Sequence, residues 1–223
     1  MREPWTKLIW PASALIPASV LIIGLLMAAP ARADHAASGV PSSTGFSAGF
    51  SKKLTAAALE RTRHAVRYDP AYRRIAYPMG DVPDDRGVCS DVVIRAYRAV
   101  GIDLQEQVHH DMSRAFAAYP NLWGLTAPDT NIDHRRVPNL EIFFARHGQK
   151  LPLAQTGDAY RPGDIVTWRL GPSASLPHIG LVTGVKSHDG ARPLIVHNVG
   201  AGPRLEDVLF AYRLHGHYRF EPS

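Results

Sequence analysis

The hydrophobic period of the chain changes at Gly148, and that change limits the folds open to it. Before Gly148 the apolar residues recur at helical spacing. A first helix is expected over Thr55–Tyr68, stopped by Asp69-Pro70. A second begins at Cys89, carries Val92, Val93, Ala96, Tyr97 and Val100, and ends at Gly101. A third covers about 104–118, with Leu104, Val108, Met112 and Phe116 on one stripe, and a fourth runs from Pro138 to Gly148. After Gly148 come short alternating or apolar runs bounded by turn residues: Asp164–Leu170, His178–Val185 and Pro193–Val199, with one or two more strands in Val208–Phe220. His188-Asp189-Gly190 reads as a hairpin tip. Helices first and antiparallel strands afterwards point to an α+β domain, not an alternating α/β one.

Composition sets the remaining bounds. Of 223 residues, 45% are hydrophobic and 20% charged, so the chain can build a packed core of ordinary size. A single cysteine, Cys89, rules out an intrachain disulfide framework. Arg2 and Lys7, an apolar stretch from Ala12 to Ala29 and Ala31-Arg32-Ala33 form the pattern of a secretory signal peptide, residues 1–33. The competing reading is an uncleaved anchor over Trp10–Ala29. Residues 34–53, rich in Ser, Gly and Ala, read as a flexible linker, which leaves 54–223 as the domain. The expected location is periplasmic or secreted, with no stable membrane span after cleavage. The net charge of +5 is dispersed along the chain, without the basic stripe that nucleic-acid binding needs.

Cys89 stands at the expected start of a helix, where free N–H groups and the helix dipole favour thiolate over thiol. His178 opens the run HIGLV, and His197 lies within LIVHNVG on the next strand. Neighbouring antiparallel strands bring such side chains together. A thiol nucleophile needs a base, and the base needs an orienting group.

These contexts resemble those of the NlpC-type cell-wall peptidase superfamily. The matching residues are Cys89-Ser90-Asp91-Val92-Val93-Ile94-Arg95-Ala96-Tyr97, then Pro162-Gly163-Asp164 before Ile165–Trp168, His178-Ile179-Gly180 and Ile195-Val196-His197. Two further stretches, GVCSDVVIRAYRAVGIDLQ and PDTNIDHRRVPNL, are similar to an exported bacterial family known as a domain of unknown function. The resemblance implies a papain-like fold and a cysteine hydrolase with Cys89 as nucleophile, His178 as base and His197 as orienting group. It further implies an amide substrate in peptidoglycan stem peptides, with no cofactor and no metal. It also implies a tyrosine upstream of the nucleophile, for which Tyr72 and Tyr77 are the candidates. Two departures stand out: Val88 where the superfamily has Asp, and Asp91 where it has Gly. The charge of Asp91 opposes thiolate formation and favours an alternative, a catalytically inactive peptidoglycan-binding module.

Between the Cys helix and Pro162 lies a Pro-flanked stretch with little periodicity. Its Asp133, His134, Arg135 and Arg136 are candidate substrate-binding residues, the two arginines suiting a carboxylate. Asp129-Thr130-Asn131-Ile132-Asp133 begins like a calcium loop but lacks its Gly and Glu, so a polar turn is expected. His215-Gly216-His217 would put two imidazoles on one strand face, as a metal site does. A zinc-dependent hydrolase built on Cys89 and the histidines is therefore a further alternative, one that no His-Glu-x-x-His motif supports.

Overall fold

A computed structural model describes residues 47–222. The expected signal peptide, 1–33, and residues 34–46 of the expected linker lie outside the described residues.

Among the described residues four α-helices precede the main sheet. Helix α1 covers Ala48–Arg61 and is capped by Ser47, whose Oγ accepts the Phe50 N–H. It buries Leu54, Thr55 and Ala58. It starts inside the stretch expected to be linker and ends well before Tyr68. The Thr62 hydroxyl turns back to the Leu59 carbonyl and closes the helix. The chain beyond is then free to form β1 (Arg67–Tyr68), which pairs in parallel with β2 (Arg86–Gly87). Helix α2 (Cys89–Ala99) follows β2 directly, and α3 (Leu104–Ala115) and α4 (Val137–His147) come next. All three lie where the periodicity places them.

The remaining strands are β3 (Gln149–Lys150), β4 (Ile165–Leu170), β5 (Leu176–Lys186), β6 (Pro193–His197), β7 (Arg204–Glu206) and β8 (Arg213–Arg219). They form one antiparallel sheet in the order β3-β8-β4-β5-β6-β7. The domain is α+β, as the order of periods requires. Alternation along the strands divides the sheet into two packed faces. Ile165, Ile179, Leu181, Val196 and Tyr218 meet the helices through Val93, Tyr97, Leu140, Phe143 and Phe144. Val166, Trp168, Val182 and Ile195 form the second core with Tyr160 and Leu209. Buried aromatic polar atoms find partners: Tyr97 Oη donates to the Phe220 carbonyl, and Trp168 Nε1 to that of Leu209. Among the described residues no helix is long and apolar enough to cross a membrane.

Asp164, in the turn before β4, is fully buried. It receives Arg219 through Nε at 2.7 Å and Nη2 at 2.9 Å, together with His217 Nε2 at 2.8 Å. His217 also stacks on Tyr160. His215 goes elsewhere, its Nε2 3.9 Å from Glu141. The register against β4 shifts between Thr167 and Trp168, opposite Gly216 and Leu214, which leaves His215 as the extra residue of a bulge. The expected pair of imidazoles on one face is therefore not formed.

Candidate active site

Cys89 is the first residue of α2. Val88, in extended conformation, turns the chain from β2 into the helix. The Asp91 carboxylate caps this turn by accepting the Val88 N–H at 2.6 Å. Gly87 leaves room for it, since a Cβ there would lie 3.2 Å from Asp91 Oδ2. The Cys89 sulfur accepts from the backbone N–H groups of Ile179 and Ser90 and from the Tyr68 hydroxyl. It is only 4% exposed, and burial pushes its pKa up to about 11 against the pull of those donors. The resting group is a thiol. The thiolate expected from the helix N-terminus is overridden by desolvation, with the Asp91 charge adding to the rise.

Ile179 delivers its N–H to the sulfur from β5, and the residue before it is His178. The His178 ring lies against Trp168 and reaches His197, with Nε2 2.9 Å from His197 Nδ1. Gly180 makes that approach possible, because a Cβ there would lie 2.7 Å from Ile195 Cγ2 and 3.1 Å from His197 Cβ. His197 Nε2 stands 2.9 Å from Glu206 Oε2, a charge contact without hydrogen-bond alignment. Both imidazoles are buried, and burial lowers both pKa values, that of His178 to about 3. The rings are neutral, so their tautomers follow from their neighbours. Glu206 favours a proton on His197 Nε2, which makes His197 Nδ1 an acceptor. His178 Nε2 then donates to it and Nδ1 of His178 carries the lone pair, the form a general base requires.

Two members of this set were not legible in the sequence. Tyr68 touches the sulfur, whereas the expected candidates do not: Tyr72 donates to Asp129 Oδ2 and Tyr77 packs edge-on against His109. Glu206 belongs to β7, which pairs with β6. Its signal was position alone, a carboxylate shortly after the strand that carries His197.

The four expected substrate-binding residues separate. Arg135 is buried, and its Nε and Nη2 each lie 2.8 Å from an Asp91 oxygen. It neutralises Asp91 and presents no open fork to a substrate. Asp133 and His134 are 2% exposed each. Asp133 accepts the Asp129 N–H and pairs with Arg136 Nη1 at 2.9 Å, which is the polar turn expected here in place of a calcium loop. Arg135 and Arg136 both border a depression of about 350 Å³ with Tyr72, Val88, Trp123 and Ile132, and the Arg136 guanidinium lies 3.9 Å over the Trp123 ring. Among the described residues no three His, Cys, Asp or Glu side chains converge as metal ligands.

Comparison with known proteins agrees on the family. The chain is 46% identical over 203 residues to the uncharacterized protein YijF of Escherichia coli (strain K12), a match covering 91% of this chain and 98% of YijF. The solved structure of NlpC1 from Trichomonas vaginalis matches at 17% identity with a TM-score of 0.43, over 76% of this chain and 44% of that one. This chain thus spans less than half the length of that structure. A family model described as a domain of unknown function, DUF1287, matches residues 55–220, and the chain belongs to that family.

Proposed function

We propose that this protein is an exported cysteine hydrolase of the NlpC-like, papain-like type, cleaving an amide bond in peptidoglycan stem peptides or a related amide. One observation carries the reading. Cys89 opens a helix that packs against β5, the strand that carries His178, and the His178 Nε2 lies 2.9 Å from His197 Nδ1. His178 Nδ1 takes the thiol proton as the sulfur attacks the substrate carbonyl. The developing oxyanion is met by the Cys89 N–H, which has no acceptor within its own helix. His178 returns the proton to the leaving amine, and a thioester to Cys89 forms. Water, deprotonated by His178, then releases the acid and restores the thiol. His197, held by Glu206, keeps His178 in the reactive tautomer. Arg136 at the rim suits a substrate carboxylate.

The raised thiol pKa is compatible with this order of events, since the proton leaves only when a base and a substrate are both present. The charge of Asp91, the feature that favoured an inactive binding module, is matched by Arg135. The test is to incubate the mature protein with peptidoglycan fragments and identify products by mass. Wild type is expected to give one new amine and one new carboxylate, and Cys89→Ala neither. Equal turnover by both would end the proposal.

A further inference from the structure

The Cys89 sulfur is nearly sealed, yet not every group that seals it is itself buried. Of the residues that donate to the sulfur, Ser90 and Ile179 are fully buried, whereas Tyr68 is 38% exposed. The route from solvent to the sulfur therefore runs past the Tyr68 side chain. What holds that side chain differs from what holds its backbone. The backbone is fixed: Tyr68 pairs with Gly87, the Asp69 N–H donates to the Gly87 carbonyl at 3.2 Å, and the Asp69 carboxylate holds Arg73 and Arg86 at 2.9 Å each. The ring is not fixed in the same way. It belongs to neither core cluster, and its hydroxyl has the Cys89 sulfur as partner. Sulfur is a weak acceptor, and exposed side chains change rotamer fast compared with any chemical step.

We infer that the Tyr68 side chain is a gate over Cys89. It covers the thiol at rest and rotates outward, with its backbone staying in β1, to admit a reacting group to the sulfur. The depression described above is bordered by Pro70 and Val88, near neighbours in the chain of Tyr68 and Cys89. A ligand lying there is beside the gate when it opens. That the admitted group is a substrate carbonyl rests on the hydrolase reading, whereas the gate itself does not.

Two thiol reagents of different size, iodoacetamide and the bulkier N-phenylmaleimide, test the gate on the folded mature protein. Both react with the same thiolate, so a change in thiol pKa shifts both rates together and cancels in their ratio. The bulky reagent must wait for the ring to leave the sulfur altogether. It is then slowed by the full value of one neutral hydrogen bond, about five-fold. The ratio of bulky to small rate is expected to rise about five-fold in Tyr68→Ala. It should rise less in Tyr68→Phe, whose ring remains but has lost its tether. Tyr68→Trp, a larger cover, should lower the ratio, and Tyr72→Ala should leave it unchanged. Thermal melts report that the variants fold. A ratio unmoved by Tyr68→Ala, or raised as much by Tyr72→Ala, would overturn the inference. The assay involves no turnover, so a protein that shows these ratios but cleaves no wall fragment would fail as a hydrolase and still carry the gate.

Discussion

Two buried arginine–aspartate pairs hold this domain, and they serve opposite ends. Asp164 and Arg219 lie at the sheet with His217, while Asp91 and Arg135 lie beside the Cys89 thiol. Both are bidentate, with N···O distances of 2.7–2.9 Å in keeping with charge assistance. The sheet pair takes an imidazole as its third member and so closes His217 to chemistry. The pair at α2 takes a backbone N–H as its third member, that of Val88, and thereby fixes where the helix and its first residue begin. The His178 and His197 imidazoles are bound to each other and not to a buried carboxylate, which leaves a ring nitrogen of His178 uncommitted. Identical residue chemistry is thus structural in one place and positioning in the other, depending on what the third partner is.

The largest effect expected from breaking this comparison is on the sheet. Asp164→Ala removes the carboxylate shared by Arg219 and His217 and should lower unfolding stability by about 3–5 kcal/mol, read by urea titration. The folded fraction should alkylate Cys89 at the wild-type rate. Asp91→Asn should cost less, about 2–3 kcal/mol, because the amide oxygen can still cap Val88. It should also speed alkylation of Cys89, since the charge raising the thiol pKa is gone and Arg135 remains. A stability loss without a change in thiol reactivity would place Asp91 with Asp164 as purely structural.

Acid separates the two regions next. Folded His178 stays neutral down to about 3 and His134 to about 4, against an ordinary 6.5, both through burial. Between those values the unfolded chain binds more protons, so stability is fully present above pH 6.5 and falls as pH drops below it. Each such imidazole contributes a slope of up to about 1.4 kcal/mol per pH unit. His178→Asn should flatten the slope by one proton, measured as urea midpoints between pH 4 and 7. At the alkaline end Cys89 has the opposite sign, costing stability as pH rises from 9 toward 11.

The smallest expected effect belongs to Tyr68→Phe. Losing its hydrogen bond to sulfur should cost about 1 kcal/mol or less and raise the thiol pKa further, slowing alkylation. Tyr72→Phe should leave Cys89 unchanged. If the two tyrosines exchange these outcomes, the placement of β1 is wrong.

What could be read in the sequence follows the length of each element. Helices α2 and α4 and strands β4–β6 carry enough periodic residues to announce themselves, and with them Cys89, His178 and His197. Tyr68 and Glu206 sit on strands of two and three residues, too short for any period, and only tertiary pairing brings them to the site. The burial of Arg135 was not legible for a different reason. A charged, aperiodic, Pro-flanked stretch looks like an exposed loop, yet this one is buried because Asp91, forty-four residues away in the chain, supplies its partner. The helix-dipole argument at Cys89 was sound locally but omitted desolvation, which no spacing reveals.

The central claim is that Cys89 forms a covalent acyl intermediate through His178. Rapid acid quench of the mature protein with peptidoglycan fragments, followed by intact mass and peptide mapping, tests it most directly. The account predicts an adduct with the mass of the acyl half of the substrate on the peptide containing Cys89, absent in Cys89→Ser and in His178→Ala. Fragment cleavage that proceeds with no adduct and is undiminished in His178→Ala would contradict it.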